Sequence, residues 1–121
     1  MTKLFQRVTV RKNERALLLR NGDFERVLRP GTHWQIPGID TLQVETSTLD
    51  QPAFNHPLAD YLMASEPAVV AAEFVPVALG ETQVGLRTEN GTLGELLAPA
   101  TRRLYWQGPK DVRVEVIDIA G

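Results

Sequence analysis

The chain contains no cysteine. That excludes a disulfide framework, thiolate chemistry, Cys-based zinc sites and iron–sulfur clusters. Histidine occurs only at His33 and His56, and serine only at Ser47 and Ser65. Neither serine lies in a Gly-x-Ser-x-Gly elbow or near a histidine in sequence, so no serine-hydrolase arrangement is readable. Long hydrophobic runs are missing too. The longest nearly uncharged apolar stretch, residues 67–72, falls far short of the ~18 residues that cross a bilayer. The first seven residues, Met1 to Arg7, hold no apolar core of a signal peptide. A soluble, cytoplasmic chain is therefore expected. No Gly-rich phosphate loop or dinucleotide fingerprint is present, and no cofactor is expected.

What is present suits an ordinary small globular protein: 121 residues, 43% hydrophobic and 23% charged, with a net charge of −2. Charge is spread unevenly. Residues 1–33 hold eight Lys/Arg against three Asp/Glu, and residues 34–95 hold one Arg against nine Asp/Glu. The overall balance carries no nucleic-acid signature, and the basic block lacks the interleaved aromatics of single-strand binders. Within it, Arg11, Lys12 and Arg15 are the candidate interaction or lipid-facing residues. A solvated strand face is the plainer reading of the same residues.

The most informative feature is an internal repeat. Val8-Thr9-Val10 aligns with Val75-Pro76-Val77 at a shift of 67 residues. Glu14 then falls on Glu81, Leu17 on Val84, Leu19 on Leu86 and Arg20 on Arg87. After a gap of two, Asn21-Gly22 falls on Asn90-Gly91 and Pro30 on Pro99; after three more, Trp34 falls on Trp106 and Pro37 on Pro109. Each copy reads as a β-branched alternation, a polar turn, a strand, an Asn-Gly hairpin and a second strand. Asn-Gly tolerates the positive φ that both central residues of a two-residue hairpin loop require. The register around the first such turn puts Arg20 opposite Asp23 and Leu19 opposite Phe24, both favourable cross-strand pairs. Pro30-Gly31 suits a type II turn, with Pro fixing φ and Gly supplying the positive φ; alanine at position 100 predicts a different turn in the second copy. Alternation in the last strand places Leu42 and Val44 on one face, as it does Val112, Val114 and Val116.

Between the copies, Leu58 to Ala64 predicts one short helix, with Leu58, Tyr61 and Leu62 on one face; Pro67 ends or restarts it. The expected fold is mainly β with one short helix (α+β): two similar small antiparallel β units packed as a pseudo-repeat. The expected organisation is one cooperative domain over 1–121, with a first β unit at 7–50, a helical linker at 51–73 and a second β unit at 74–119. A hairpin-sized unit buries too little apolar surface to stand alone, so Trp34 and Trp106 are expected near a shared core or capping their own units. Asn21, Gly22, Pro30, Gly31, Trp34, Asn90, Gly91 and Trp106 are thus turn and packing residues.

Chemistry-bearing residues do not converge. His33 matches Tyr105 across the copies, which reads as an aromatic packing slot. His56 with Asp50 and Asp60 is the weakest form of a metal signal, and a capping role at the helix start suits His56 better. Glu14 and Glu81 lie in polar turns, where solvated carboxylates are commonplace. No catalytic residue and no metal ligand is assigned, and the chain is expected not to be an enzyme.

Residues 10–34, from Val-Arg-Lys-Asn-Glu to Pro-Gly-Thr-His-Trp, resemble the opening β segment of the band 7 (SPFH) family, which includes stomatin, the prohibitins, the flotillins and the bacterial slipins. The matching elements are Glu14, Leu17 to Arg20, Gly22, Val27-Leu28, Pro30-Gly31, Trp34 and Pro37. The stretches His56 to Leu62 and Arg102 to Pro109 resemble the N-terminal extension of a bacterial slipin subgroup, in which the opening unit recurs. The resemblance implies a membrane-associated scaffold that self-associates, organises microdomains and holds partner membrane proteases or NfeD-like proteins. The family's hydrophobic anchor, long α/β body and coiled coil are not in this sequence, so a piece of a longer slipin or a stand-alone extension is expected. Two other readings stand beside the scaffold. One is a stand-alone β domain that binds a peptide or small ligand between its repeats. The other is peripheral contact with an anionic membrane through the basic block.

Overall fold

The structure is a computed structural model that describes residues 6–36, 38–108 and 111–119. The matched Pro37 and Pro109 lie outside the described residues. The chain divides into two compact units, residues 1–50 and residues 51–121.

In the first unit, β1 (Gln6–Val10) pairs antiparallel with β4 (Gly31–Gln35), while β2 (Glu14–Arg20) lies between β3 (Asp23–Leu28) and β5 (Leu42–Thr48). The β2–β3 register sets Arg20 against Asp23 and Leu19 against Phe24. Alternation along β2 turns Ala16 and Leu18 into a core with Val10 and Leu28, flanked by Val8, Leu42 and Val44. Leu17 and Leu19, on the other face, are buried as well. β2 is therefore covered on both sides, as its unbroken apolar run Ala16 to Leu19 requires.

The second unit opens with the two-residue strand β6 (Ala53–Phe54) and two helices, α1 (Ala59–Ser65) and α2 (Pro67–Glu73). One short helix was expected here. Pro67 ends α1 and, lacking an N–H, is well placed to start α2 at its first turn. The strands that follow are β7 (Phe74–Ala78), β8 (Gln83–Glu89), β9 (Thr92–Leu97), β10 (Arg102–Trp106) and β11 (Val112–Asp118). They pair as β7 with β10, and β8 between β9 and β11, the pairing order of the first unit. Their core is Val77, Leu79, Leu97, Tyr105 and Val112, flanked by Ala53, Val75 and Val114.

The pairings correct two details of the sequence alignment. β2 and β8 have seven residues each and run straight into their Asn-Gly turns, so Glu14 corresponds to Gln83 and Arg20 to Glu89. The two-residue offset therefore lies in the turn before β8. The second correction is that Trp34 and Trp106 share a register position but not an environment. Trp34 is 63% exposed, whereas Trp106 is 1% exposed. Trp106 stacks on Phe74 at 4.3 Å and meets Phe54 edge-on at 5.4 Å. Opposite Trp34, by contrast, β1 presents the exposed Arg7.

The hairpin turns have positive φ at both central residues: +53° and +85° at Asn21 and Gly22, +51° and +84° at Asn90 and Gly91. Valine at either glycine forces a β-branched residue into the left-handed region, at a cost of about 1–3 kcal/mol. Gly22→Val and Gly91→Val should each lower the melting temperature by several degrees; unchanged melting of both would remove the turns from the stability account.

Candidate functional site

The basic candidates occupy the turn between β1 and β2. Arg11 and Lys12 are exposed, but Arg15 is half-buried and folds back on its own chain, donating to the Glu14 carbonyl at 2.6 Å and the Lys12 carbonyl at 3.4 Å. The turn is closed by Glu14, which donates its N–H to the Arg11 carbonyl at 3.0 Å and accepts the Arg11 N–H on Oε1 at 2.9 Å. Gln83 closes the equivalent turn of the second unit, donating to the Gly80 carbonyl and accepting the Gly80 N–H on Oε1 at 2.8 Å. Gln83, rather than Glu81, thus plays the part of Glu14. This role needs only a side-chain oxygen, which is why an uncharged residue replaces the carboxylate.

Asn21 and Asn90 do more than tolerate positive φ. Asn21 donates its N–H to the Thr41 carbonyl at 2.8 Å and accepts the Thr41 N–H on Oδ1 at 2.9 Å. Asn90 makes the same two bonds with Asp111, at 2.9 and 2.8 Å. Each hairpin tip therefore clamps the segment leading into the last strand of its unit. Sequence reasoning missed this clamp, because the partners stand about twenty residues away. In the first unit the clamp is reinforced by Asp40, which accepts from Asn21 at 3.0 Å and from Arg20 at 2.9 Å. Those bonds, from Asn21 first and Arg20 second, hold the Asp40 carboxyl below its ordinary pKa.

The second unit carries an ion-pair network that the sequence did not announce. Arg87 bonds Glu89 at 2.6 Å and Glu95 at 3.2 Å, and Arg103 bonds Glu95 at 3.1 Å and the Tyr105 hydroxyl at 3.0 Å. Burial lowers the Arg87 pKa, but its bonds to Glu89 and Glu95 outweigh this and leave it raised. β9 makes room for that guanidinium: Gly94 lies at a bulge, and a Cβ there would come within 3.0 Å of Arg87 Nη2. Both faces of this network are structural, since every charge is spent on a neighbour.

The two histidines are held by local bonds. His33 Nε2–H donates to the Arg29 carbonyl at 2.6 Å. His56 Nδ1 accepts the Leu58 N–H at 3.0 Å just ahead of α1, and its ring stacks on Phe54 at 5.2 Å. Together with Asp60, Arg102 and Arg103, His56 lines an open cleft of about 560 Å³. Among the described residues no group of three His, Cys, Asp or Glu is placed to hold a metal ion.

Pro30-Gly31 suits a type II turn, but Gly31 instead opens β4 at φ +136°, well beyond the roughly +80° of that turn. The second unit was expected to differ because alanine stands at position 100. It does differ: Ala100 takes φ +64° against +136° at Gly31, with Thr101 N–H reaching the Ala98 carbonyl at 3.3 Å across the turn. The left-handed conformation costs an alanine about 1–2 kcal/mol, and the extra freedom of glycine gives back about 0.5–1 kcal/mol to the unfolded chain. Ala100→Gly should therefore stabilise the protein by about 0.5–1 kcal/mol in a denaturant titration.

These turns, clamps and strand ladders define a small β framework whose polar groups are largely occupied in holding its own loops. The SPFH domain / Band 7 family pattern matches residues 8–76, from β1 through α2 into β7. The chain belongs to this family of membrane-associated scaffold proteins. Neither the curated proteins nor the solved structures yield a match. No helix among the described residues is long and apolar enough to cross a membrane.

Proposed function

We propose that this chain is a non-enzymatic protein-interaction and scaffold module of a slipin-type (stomatin-like) band 7 protein. It would contribute to membrane microdomain organisation or to the regulation of a partner protease. The observation that carries the reading is the family match over residues 8–76. The geometry supports it, because the histidines, carboxylates and arginines described above are bound to local turns and ladders rather than converging on a nucleophile. Partners on this reading are other copies of the module and a membrane protease or NfeD-like protein. Two measurements on the purified chain test it together. Peptide and ester substrates should show no turnover above buffer, and sedimentation velocity should show association that grows with concentration. Turnover abolished by His33→Ala or His56→Ala would overturn the proposal, as would a strict monomer at all concentrations.

A further inference from the structure

The two units share a strand-pairing order but differ at one edge. In the second unit, β10 is paired on both sides, by β7 and by β6. Leu104 stands against Phe54 and Tyr105 against Ala53, and Trp106 donates its N–H to the Pro52 carbonyl at 2.8 Å. In the first unit, β4 pairs with β1, and among the described residues no strand takes its other edge. Trp34 is matched to Trp106 by register, since Trp34 opposes Arg7 on β1 as Trp106 opposes Phe74 on β7. The segment Pro52-Ala53-Phe54 therefore shows, within this molecule, what fills such an edge: main-chain bonds plus an aromatic ring laid against the tryptophan.

We propose that the outer edge of β4 is a docking site for an extended acidic peptide that bears an aromatic residue and adds as a strand. Three observations carry this. An unpaired strand edge offers a row of backbone donors and acceptors to an added strand. Trp34 stands there 63% exposed, next to Ile36 at the same exposure, where its counterpart is sealed by Phe54. The charge of the partner follows from the strand behind Trp34: Phe74 beside Trp106 becomes the exposed Arg7 beside Trp34, so a carboxylate in the added strand is favoured. The site deepens the interaction-module reading and rests on it for its purpose.

The probe is a synthetic peptide of residues 50–55, Asp-Gln-Pro-Ala-Phe-Asn, titrated into the 15N-labelled chain. Amide shifts centred on Thr32 to Ile36 are expected. The same peptide with Phe54→Ala should bind at least tenfold more weakly, and raising salt should weaken the parent peptide. Trp34→Ala in the protein, at an exposed position, should also weaken binding tenfold while leaving the amide spectrum of the second unit unchanged. No shifts at millimolar peptide, shifts centred on other strands, or equal binding by the Phe54→Ala peptide would overturn the edge site. So would sedimentation showing that Trp34→Ala abolishes self-association of the free chain, because the occupant would then be a second copy. Loss of the peptide site with self-association intact would refute this inference and leave the scaffold reading standing.

Discussion

Trp106→Ala should destabilise the protein by about 3–5 kcal/mol, whereas Trp34→Ala should change stability by no more than about 0.5 kcal/mol. The two tryptophans occupy matched positions in β10 and β4, so sequence alone would give them equal weight. Packing separates them. Trp106 is 1% exposed and contacts Phe74 and Phe54 with ring centroids 4.3 and 5.4 Å away. Truncation leaves a cavity the size of an indole and removes two aromatic pairs, each contributing about 0.5–1.5 kcal/mol beyond its buried area. The indole Nε1–H of Trp106 is buried without an acceptor among the described residues, which offsets part of that gain. Trp34 is mostly in water already, and its removal leaves no cavity. Urea titrations of the two variants check the difference; equal losses would mean that Trp34 is buried in solution.

Leu18→Ala should cost about 2–5 kcal/mol by the same reasoning applied to the first unit. Leu18 is fully buried, stands against Val44 across β2–β5, and packs with Val10, Ala16 and Leu28. Alanine at this position leaves a void in a small core that has few side chains able to move into it. Chemical denaturation of this variant, followed alongside Trp106→Ala, also reads out cooperativity. A single shared transition in both variants matches the one-domain expectation, and loss of one transition with the other unchanged contradicts it. A loss below about 1 kcal/mol for Leu18→Ala would contradict the core assignment itself.

Much of this architecture could be read from the residues, for identifiable reasons. Asn-Gly specifies its turn locally, because few other pairs tolerate positive φ twice, and the cross-strand partners Arg20–Asp23 and Leu19–Phe24 follow from the turn. Other features depend on distant groups and gave no local signal. The second helix starts at a proline inside an apolar stretch that suits either helix or strand. The Asn21–Thr41 and Asn90–Asp111 clamps join residues that no periodicity links. The offset before β8 is hidden in the sequence because Glu14 and Glu81 look alike, while the turn selects for a reaching oxygen, which Gln83 supplies. The different fates of the tryptophans were hidden for a similar reason. They hinge on β6, a strand of two residues with no alternation to detect, and on the exchange of Phe74 for Arg7. Of the candidate site residues, Arg15 looked like part of a free basic patch and is tied to its own backbone.

Amide hydrogen exchange at the two tryptophans tests most directly whether one edge stands open and the other is filled. The account predicts strong protection of the Trp106 N–H, which is bonded to the Pro52 carbonyl, and fast exchange of the Trp34 N–H in the free chain, slowed when the Asp-Gln-Pro-Ala-Phe-Asn peptide is added. Equal protection of both amides in the free chain would contradict it.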